Sequence, residues 1–405
     1  MAQRLAPDTA FTVALYLDIE GLTEVADLRD ALHAARIENG LTQLRVVDPD
    51  GEPKITVDAD APYVIDIIDL RTHGDAVDRA HAWMQSEFAT PIALSDDRLL
   101  RIALLRLPGD RTFLYLRAHH LILDGFGAFN LIRRIADIYS SRESTGRVPD
   151  ADDILTLESI ETKYRASSRH AKDLEHWQSY LGDNIGFSTV STRPVGAPAQ
   201  PRAMRAQWEG SALPENPDAA ALIAAFALYL SRITDSTDIV LGLPVSGRTT
   251  AFLRSTGGML ANVLPMKIHV TDTCTVSDLI DAVRIQITAA LRHQRFQDWD
   301  RIVDVEARRF GVFFGPLVNV MPFVVPLDFG GTPAPVEILS SGPIHDVAVN
   351  IYPGTERVPM HVDIQWNSNR YDEAEIARHG RRLTRIMDHF LRDPGPTPTA
   401  ASDIR

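Results

Sequence analysis

One short segment constrains this chain more than any other: the sequence His-His-Leu-Ile-Leu-Asp-Gly at 119–125. An apolar run at 113–116 leads into it, and an amphipathic run at 129–138 follows it. This order predicts a buried strand, a tight loop and then a helix, with the polar residues of the loop at the edge of a sheet. Because histidine exchanges a proton near neutral pH more readily than any other side chain, the loop predicts an acid–base site.

Each residue of the loop suits a different task. Gly125 allows the backbone to turn or a substrate to pass close to it. Asp124, four residues after His120, either orients that imidazole or pairs with an arginine elsewhere in the chain. A single buried histidine is usually a hydrogen-bonded core residue. Two adjacent histidines followed at this spacing by Asp-Gly favour a functional loop.

Composition and charge exclude several classes of function. A length of 405 residues suits two domains of about 200 residues. The net charge of −13 argues against a nucleic-acid partner, since phosphate binding needs concentrated lysine and arginine. The single cysteine, Cys274, excludes an internal disulfide and a multi-cysteine metal site. With no candidate membrane span or signal peptide in the sequence, we expect a cytoplasmic protein without membrane contact.

Strand and helix patterns alternate along both halves of the chain. Before residue 182 the predicted strands are 11–19, 44–47, 63–68, 99–107 and 112–118, and the predicted helices are 24–35, 75–87 and 169–181. After it the predicted helices are 218–232, 276–293, 299–310 and 373–391, and the predicted strands are 239–243, 263–270, 317–321, 347–352 and 360–366. The polar segment 140–153 predicts a surface loop. Because hairpins occur beside crossovers, the pattern favours an α+β fold over a doubly wound parallel sheet.

The 119–125 segment resembles the His-His-x-x-x-Asp-Gly signature of condensation domains of nonribosomal peptide synthetases, in the chloramphenicol acetyltransferase-like superfamily. Stretches similar to other motifs of that family lie at suitable distances, at 164–167, 176–181, 241–248, 262–265, 318–323 and 341–346. The resemblance extends from about residue 2 to about residue 391. Two motifs depart from the pattern: the opening Ser-x-x-Gln-x-x-Leu-Trp is mostly absent, and Gly-Pro-Leu-Val-Asn at 315–319 replaces Arg-Asn-Pro-x-Phe-Gln.

This resemblance implies two acetyltransferase-like subdomains in a V-shaped pseudo-dimer with a central tunnel. The N-terminal subdomain, 1–170, carries the histidine loop, and the C-terminal subdomain, 171–405, carries latch and floor-loop segments. The implied reaction forms an amide between a donor acyl or peptidyl thioester and an acceptor aminoacyl thioester. Both are tethered to 4'-phosphopantetheine arms of donor and acceptor peptidyl carrier proteins, beside neighbouring synthetase domains. No metal or bound cofactor is implied, and the weak subtype hints include siderophore pathways.

The resemblance also implies roles for named residues. His120 either accepts a proton from the attacking amine or hydrogen-bonds that amine and the tetrahedral intermediate. The Gly125 N–H faces the developing oxyanion. His119 and Asp124 support the loop, with Asp124 paired to Arg248 unless that arginine lies on the surface. Three residues are candidates for substrate binding: Asn319, Ser341 and Asp346. Each also has a structural interpretation, as a residue that caps a strand end or forms a turn.

Rival functions share parts of this pattern. An epimerisation domain has the same loop, but its usual Glu-Gly-His-Gly-Arg stretch is absent here. A heterocyclisation domain replaces the histidines with aspartates. A free-standing acyltransferase that uses coenzyme A or forms esters needs the same catalytic histidine, and a non-catalytic module needs none. A comparison of carrier-bound with free thioester substrates separates condensation from free-standing acyl transfer. Loss of function on replacement of His120 separates either enzyme from the non-catalytic module.

Overall fold

The computed structural model describes residues 9–21, 25–40, 43–47, 54–58, 65–94, 99–141, 151–182, 188–191, 193, 199, 201–206, 217–256, 258–302, 315–321, 325–352 and 360–392. Up to residue 182 the elements are β1 (Thr12–Ile19), α1 (Val25–Asn39), β2 (Leu44–Val47), β3 (Lys54–Val57), β4 (Asp66–Asp69), α2 (Ala76–Ala89), β5 (Leu100–Leu107), β6 (Arg111–His119), α3 (Gly125–Ser141), α4 (Ala151–Arg165) and α5 (Ser168–Leu181). The later elements are β7 (Pro201–Arg205), α6 (Ala219–Thr234), β8 (Asp238–Val245), α7 (Ala251–Ser255), β9 (Asn262–His269), α8 (Val276–Arg292), β10 (Leu317–Val320), β11 (Leu327–Phe329), β12 (Thr332–Ala334), β13 (Val336–Ser341), β14 (Val347–Tyr352), β15 (His361–Asn367) and α9 (Glu373–Arg392). Within these ranges no helix is both long enough and apolar enough to cross a membrane.

The first sheet has the strand order β13-β1-β6-β5-β4 and is covered by helices on both faces. On one face Leu15 and Leu116 belong to an apolar cluster with Ile132 of α3. On the other face Phe113 packs in a cluster with Met84 of α2. A strand buried on both faces reads as an apolar run, which explains the sequence of β6. The histidine loop therefore begins at the end of a rigid strand.

The second sheet has the strand order β7-β15-β14-β10-β8-β9 and presents two unlike faces. Val349 and Ile351 point into an apolar cluster with α6 and α9. Because side chains alternate along a strand, Asn350 lies on the opposite face. Its register partner Asn319 on β10 is also polar. On β15 the same face carries Gln365, which pairs with Ala348. One face of this sheet is therefore core, and the other carries amide side chains.

The two halves of the chain are joined through the first sheet. Strand β13 comes late in the sequence, yet it pairs antiparallel with β1. The β11–β12 hairpin packs beside α3, where the Phe329 and Tyr139 rings lie 5.7 Å apart. The predicted domain bounds, 1–170 and 171–405, stay a prediction. So does the V-shaped arrangement with its tunnel.

The long predicted elements are present, and the differences lie in short or weakly patterned segments. Strands β3, β7 and β11 to β13 were not predicted, and each is three to six residues long. The loop predicted at 140–153 is wrong at both ends. Helix α3 continues to Ser141, and α4 begins at Ala151 with charged residues that give little amphipathic pattern. Residues 142–150 lie outside the described part of the chain. Of the helix predicted at 299–310, the described part is a 3₁₀ turn at Trp299–Arg301, and 303–310 lie outside.

Candidate active site

The histidine loop is tied to the strands on both sides of β6. The His119 N–H donates to the Leu99 carbonyl at 2.7 Å, and the His120 N–H donates to the Phe11 carbonyl at 2.8 Å. Helix α3 then begins at Gly125. The predicted order of strand, loop and helix is confirmed, and the backbone that carries His120 is held on two sides.

His119 is buried and faces the protein. Its Nδ1 accepts a hydrogen bond from the Leu121 N–H at 3.0 Å, so the proton of the neutral ring resides on Nε2. Burial, followed by the electrostatic effect of the neighbouring His120 and Arg117 side chains, lowers the pKa of His119 to about 4. At neutral pH His119 is therefore an uncharged ring, a state that suits a supporting role in the loop.

The Asp124 carboxylate is almost fully buried and receives four hydrogen bonds. Oδ1 accepts from the Gly127 N–H at 2.7 Å. Oδ2 accepts from Arg248 Nη1 at 2.8 Å, from the Leu260 N–H at 2.9 Å and from the Ala261 N–H at 2.8 Å. This carboxylate therefore joins the start of α3 to the segment before β9. Of the two roles considered for Asp124, orientation of His120 or pairing with an arginine, the contacts show the arginine pairing.

The pairing of Asp124 with Arg248 that we expected is present, and the surface alternative for Arg248 is wrong, since its side chain has no exposed area. Its guanidinium also donates to two carbonyls, from Nη1 to Ser246 at 3.1 Å and from Nη2 to Gly258 at 3.2 Å. The group lies 4.9 Å from the centre of the Phe126 ring, a cation–π distance. A buried ion pair with this many hydrogen bonds braces the loop.

The His120 ring is partly exposed and lies between two segments of the second half. On one edge, Nδ1 lies 3.1 Å from the Met259 sulfur. On the other edge is Gly342, whose φ is +103°. A Cβ at position 342 would lie 2.8 Å from His120 Cδ2, which is too close for any other residue without movement of the ring. We did not predict Met259 or Gly342, although each lies in or beside a stretch that resembles a family motif.

Gly125 is the first residue of α3, and it is exposed. The space where its Cβ would project holds no atom of the described residues within 4 Å. The first N–H groups of a helix have no acceptor within the helix, and they carry partial positive charge. The start of α3 therefore presents donors beside open space, close in sequence to His120.

Ser341 reaches the same end of the first sheet. It pairs with Val13, which in turn pairs with Ala118 of β6. Its hydroxyl donates to Gln365 Oε1 at 2.5 Å and so links the first sheet to the polar face of the second. This position lies beside Gly342, next to the His120 ring, so a role in substrate binding stays a prediction supported by location.

Asn319 and Asp346 contact other groups. Asn319 Nδ2 lies 3.4 Å from Asn350 Oδ1 on the polar face of the second sheet. Asp346 is buried, and burial raises its pKa. Its Oδ1 accepts a hydrogen bond from the Tyr371 hydroxyl, with Arg370 Nη1 at 3.5 Å. These contacts favour a structural role for Asp346, and substrate binding by either residue stays a prediction.

Among the described residues, no group of three or more histidine, cysteine or acidic side chains is arranged to hold a metal ion.

Comparison with known proteins agrees with this geometry. The family model described as condensation domain matches residues 1–398. The chain belongs to the condensation domain family. It is 31% identical over 412 residues to isonitrile lipopeptide synthase from Streptomyces coeruleorubidus, covering 97% of this chain and 28% of that protein. It is 28% identical over 413 residues to enterobactin synthase component F from Escherichia coli K12, covering 97% of this chain and 32% of that protein. The chain thus spans about a third or less of these curated relatives.

Solved structures of condensation domains superpose on nearly the whole chain. The starter condensation domain of rhizomide synthetase in complex with C8-CoA matches with a TM-score of 0.88 and 28% identity, covering 98% of this chain and 94% of that one. The first condensation domain of the calcium-dependent antibiotic synthetase, in complex with a substrate analogue, matches with a TM-score of 0.85 and 28% identity, with the same two coverages. The family and the mixed α and β fold that the sequence predicted are confirmed.

Proposed function

We propose that this condensation domain forms an amide bond between a donor acyl or peptidyl thioester and an acceptor aminoacyl thioester, each on the phosphopantetheine arm of a carrier protein. The observation that carries the proposal is the His120 imidazole, partly exposed on a loop that a buried and fully bonded Asp124 carboxylate braces. An exposed imidazole on a rigid backbone suits proton transfer to a substrate.

The proposed reaction proceeds through one tetrahedral intermediate. The neutral acceptor amine attacks the thioester carbonyl carbon, a C–N bond forms, and the carbonyl electrons move to oxygen. His120 Nε2 takes the proton that the amine nitrogen loses. As the intermediate collapses, the C–S bond breaks, and the leaving thiolate of the donor arm takes the proton from Nε2. The products are an amide on the acceptor arm and a free donor thiol.

Other residues of the site serve this reaction by position. The Gly125 N–H at the start of α3 faces the developing oxyanion and stabilises its charge. Ser341 and Asn319 are the candidates for hydrogen bonds to the substrate amides. Because thioester aminolysis is downhill, alignment of two tethered reactants supplies much of the rate enhancement, and the reaction needs no cofactor.

The partners that this chemistry requires are two carrier proteins and the synthetase domains that load them. The chain aligns with only part of each synthetase relative, so the alignment itself identifies no partner. We infer the partners instead from the carrier-bound substrates that the reaction needs. The reaction needs carrier proteins that have been loaded by enzymes that activate amino acids. We therefore propose that it takes place in the cytoplasm, together with those enzymes.

A second candidate is transfer of a fatty acyl group from coenzyme A to the amine of a carrier-bound amino acid. Two findings favour it: a similar solved domain is a starter domain in complex with C8-CoA, and a similar relative is a lipopeptide synthase. The reaction at His120 is the same, and only the carrier of the donor changes.

A product assay separates these candidates. An acceptor carrier loaded with an aminoacyl group is mixed with the chain and either a loaded donor carrier or octanoyl-CoA, and intact-protein mass spectrometry follows the acceptor. A dipeptidyl acceptor that forms only with the donor carrier supports the first proposal, and an octanoylated acceptor supports the second. A change in stereochemistry with no new amide would overturn both in favour of epimerisation.

A further inference from the structure

We propose that Met259 and Gly342 are positioning residues that together set the tautomer and the orientation of the His120 ring. The inference rests on the proposed function, since it concerns which nitrogen of His120 receives the proton. Both residues come from the second half of the chain, whereas His120 comes from the first. The ring is therefore presented to substrate only when these segments meet.

The contact with Met259 decides the tautomer. A thioether sulfur carries no hydrogen, so it can accept a hydrogen bond but cannot donate one. At 3.1 Å from Nδ1, the sulfur forms a hydrogen bond with the ring only when Nδ1 carries the proton. The lone pair of the neutral ring then lies on Nε2. His119 is held in the opposite state by the Leu121 N–H, so the two adjacent histidines are in different tautomers.

Gly342 keeps the other edge of the ring open. The atoms nearest to a Cβ built at this position are His120 Cδ2, at 2.8 Å, and Nε2, at 3.3 Å. The missing side chain therefore leaves space beside the nitrogen that the tautomer argument makes the base. A methyl group there would occupy the approach of the amine or turn the ring away.

The backbone that carries Met259 is held in place by the buried ion pair. Met259 is 43% exposed, so its own burial does not fix it. Its two neighbours in sequence are fixed instead, because the Gly258 carbonyl accepts from Arg248 Nη2 and the Leu260 N–H donates to Asp124 Oδ2. The bonds that brace the loop thus also position the backbone from which the Met259 side chain reaches Nδ1.

The first test replaces Met259 and measures both the tautomer and the rate. Met259→Leu has nearly the same size but no acceptor, and Met259→Gln restores an acceptor oxygen. Nitrogen NMR of the full chain with labelled histidine reports the tautomer, and the signal that is lost in His120→Ala identifies His120. We expect an Nδ1–H ring in the wild type, a shift away from it in Met259→Leu, and recovery in Met259→Gln. We expect kcat for Met259→Leu to fall about three- to tenfold, the loss of one hydrogen bond, with KM nearly unchanged.

A wild-type ring protonated on Nε2, or an unchanged tautomer and kcat in Met259→Leu, would overturn the role of Met259. The NMR measurement needs no substrate. A chain that forms no amide but shows the predicted tautomer would therefore refute the proposed function separately from this inference.

The second test compares two glycines with similar positive φ angles. Gly342 has φ +103°, and Gly331 has φ +92° with no described atom within 4 Å of its Cβ position. Alanine is strained at both φ angles, so both Gly342→Ala and Gly331→Ala should lose stability, and the Gly331 variant controls for the backbone strain alone. We expect only Gly342→Ala to lose activity, by about tenfold to a hundredfold, because it displaces the ring. Equal activity of the two folded variants would refute the role of Gly342.

Discussion

The Asp124–Arg248 ion pair offers the sharpest test of how the site is braced. Arg248→Met keeps most of the apolar stem but removes the charge and its hydrogen bonds to Asp124 and to two carbonyls. Both side chains of the pair are almost completely buried. Removal of one partner leaves an uncompensated charge in the interior, which typically costs about 3–5 kcal/mol. The backbone N–H groups that remain on Asp124 favour the lower end of that range.

Urea denaturation provides the assay, with an exposed ion pair as the matched control. Arg71 and Asp69 form two short hydrogen bonds, at 2.8 and 2.5 Å, but each side chain is nearly half exposed. We expect Arg71→Met to lower the free energy of unfolding far less than Arg248→Met does, because solvent screens an exposed ion pair. If Arg248→Met costs no more than Arg71→Met, burial adds nothing to the pair and our account of the brace is refuted.

Two further predictions concern His119 and Ser341. A native pKa of about 4 for His119, against about 6.5 in the unfolded chain, means that the unfolded state takes up the proton first as pH falls. His119 should therefore cost the wild type about 2 kcal/mol of stability between pH 7 and pH 5, a loss that His119→Asn removes; parallel urea-unfolding curves for the two proteins over this range would contradict the assignment. Ser341→Ala should raise the KM of the acceptor about three- to tenfold with kcat little changed if its hydroxyl binds substrate, and an unchanged KM would limit Ser341 to its bond with Gln365.

Local chemistry explains why part of this site was predictable. The apolar run of β6 and the polar loop after it encode a strand end that carries two histidines, and the structure has that arrangement, with His120 partly exposed and His119 buried. The arginine partner of Asp124 was found through resemblance to a family motif. Residue types alone left it open, because 124 positions separate the pair and no local pattern reports such a contact.

The remaining features depend on tertiary contacts. Nothing in the periodicity of Val336–Ser341 places that strand beside β1, since the pairing spans more than 300 residues. Met259 and Gly342 matter because their segments meet the same ring from two sides. Asp346 was selected as a candidate because it lies in a stretch that resembles a family motif, but tertiary contacts bury it against Tyr371 and Arg370. Its predicted contact with substrate stays a prediction.

The most direct measurement of the central claim is the single-turnover rate of amide formation on the acceptor carrier by the wild type, His120→Ala and His119→Asn. Loss of a general base typically lowers the rate by about a hundredfold or more. We expect that loss for His120→Ala, whereas His119→Asn, which replaces a neutral supporting ring, should lower the rate far less. Equal rates for the wild type and His120→Ala would contradict proton transfer by His120 and leave alignment of the two thioesters as the source of catalysis.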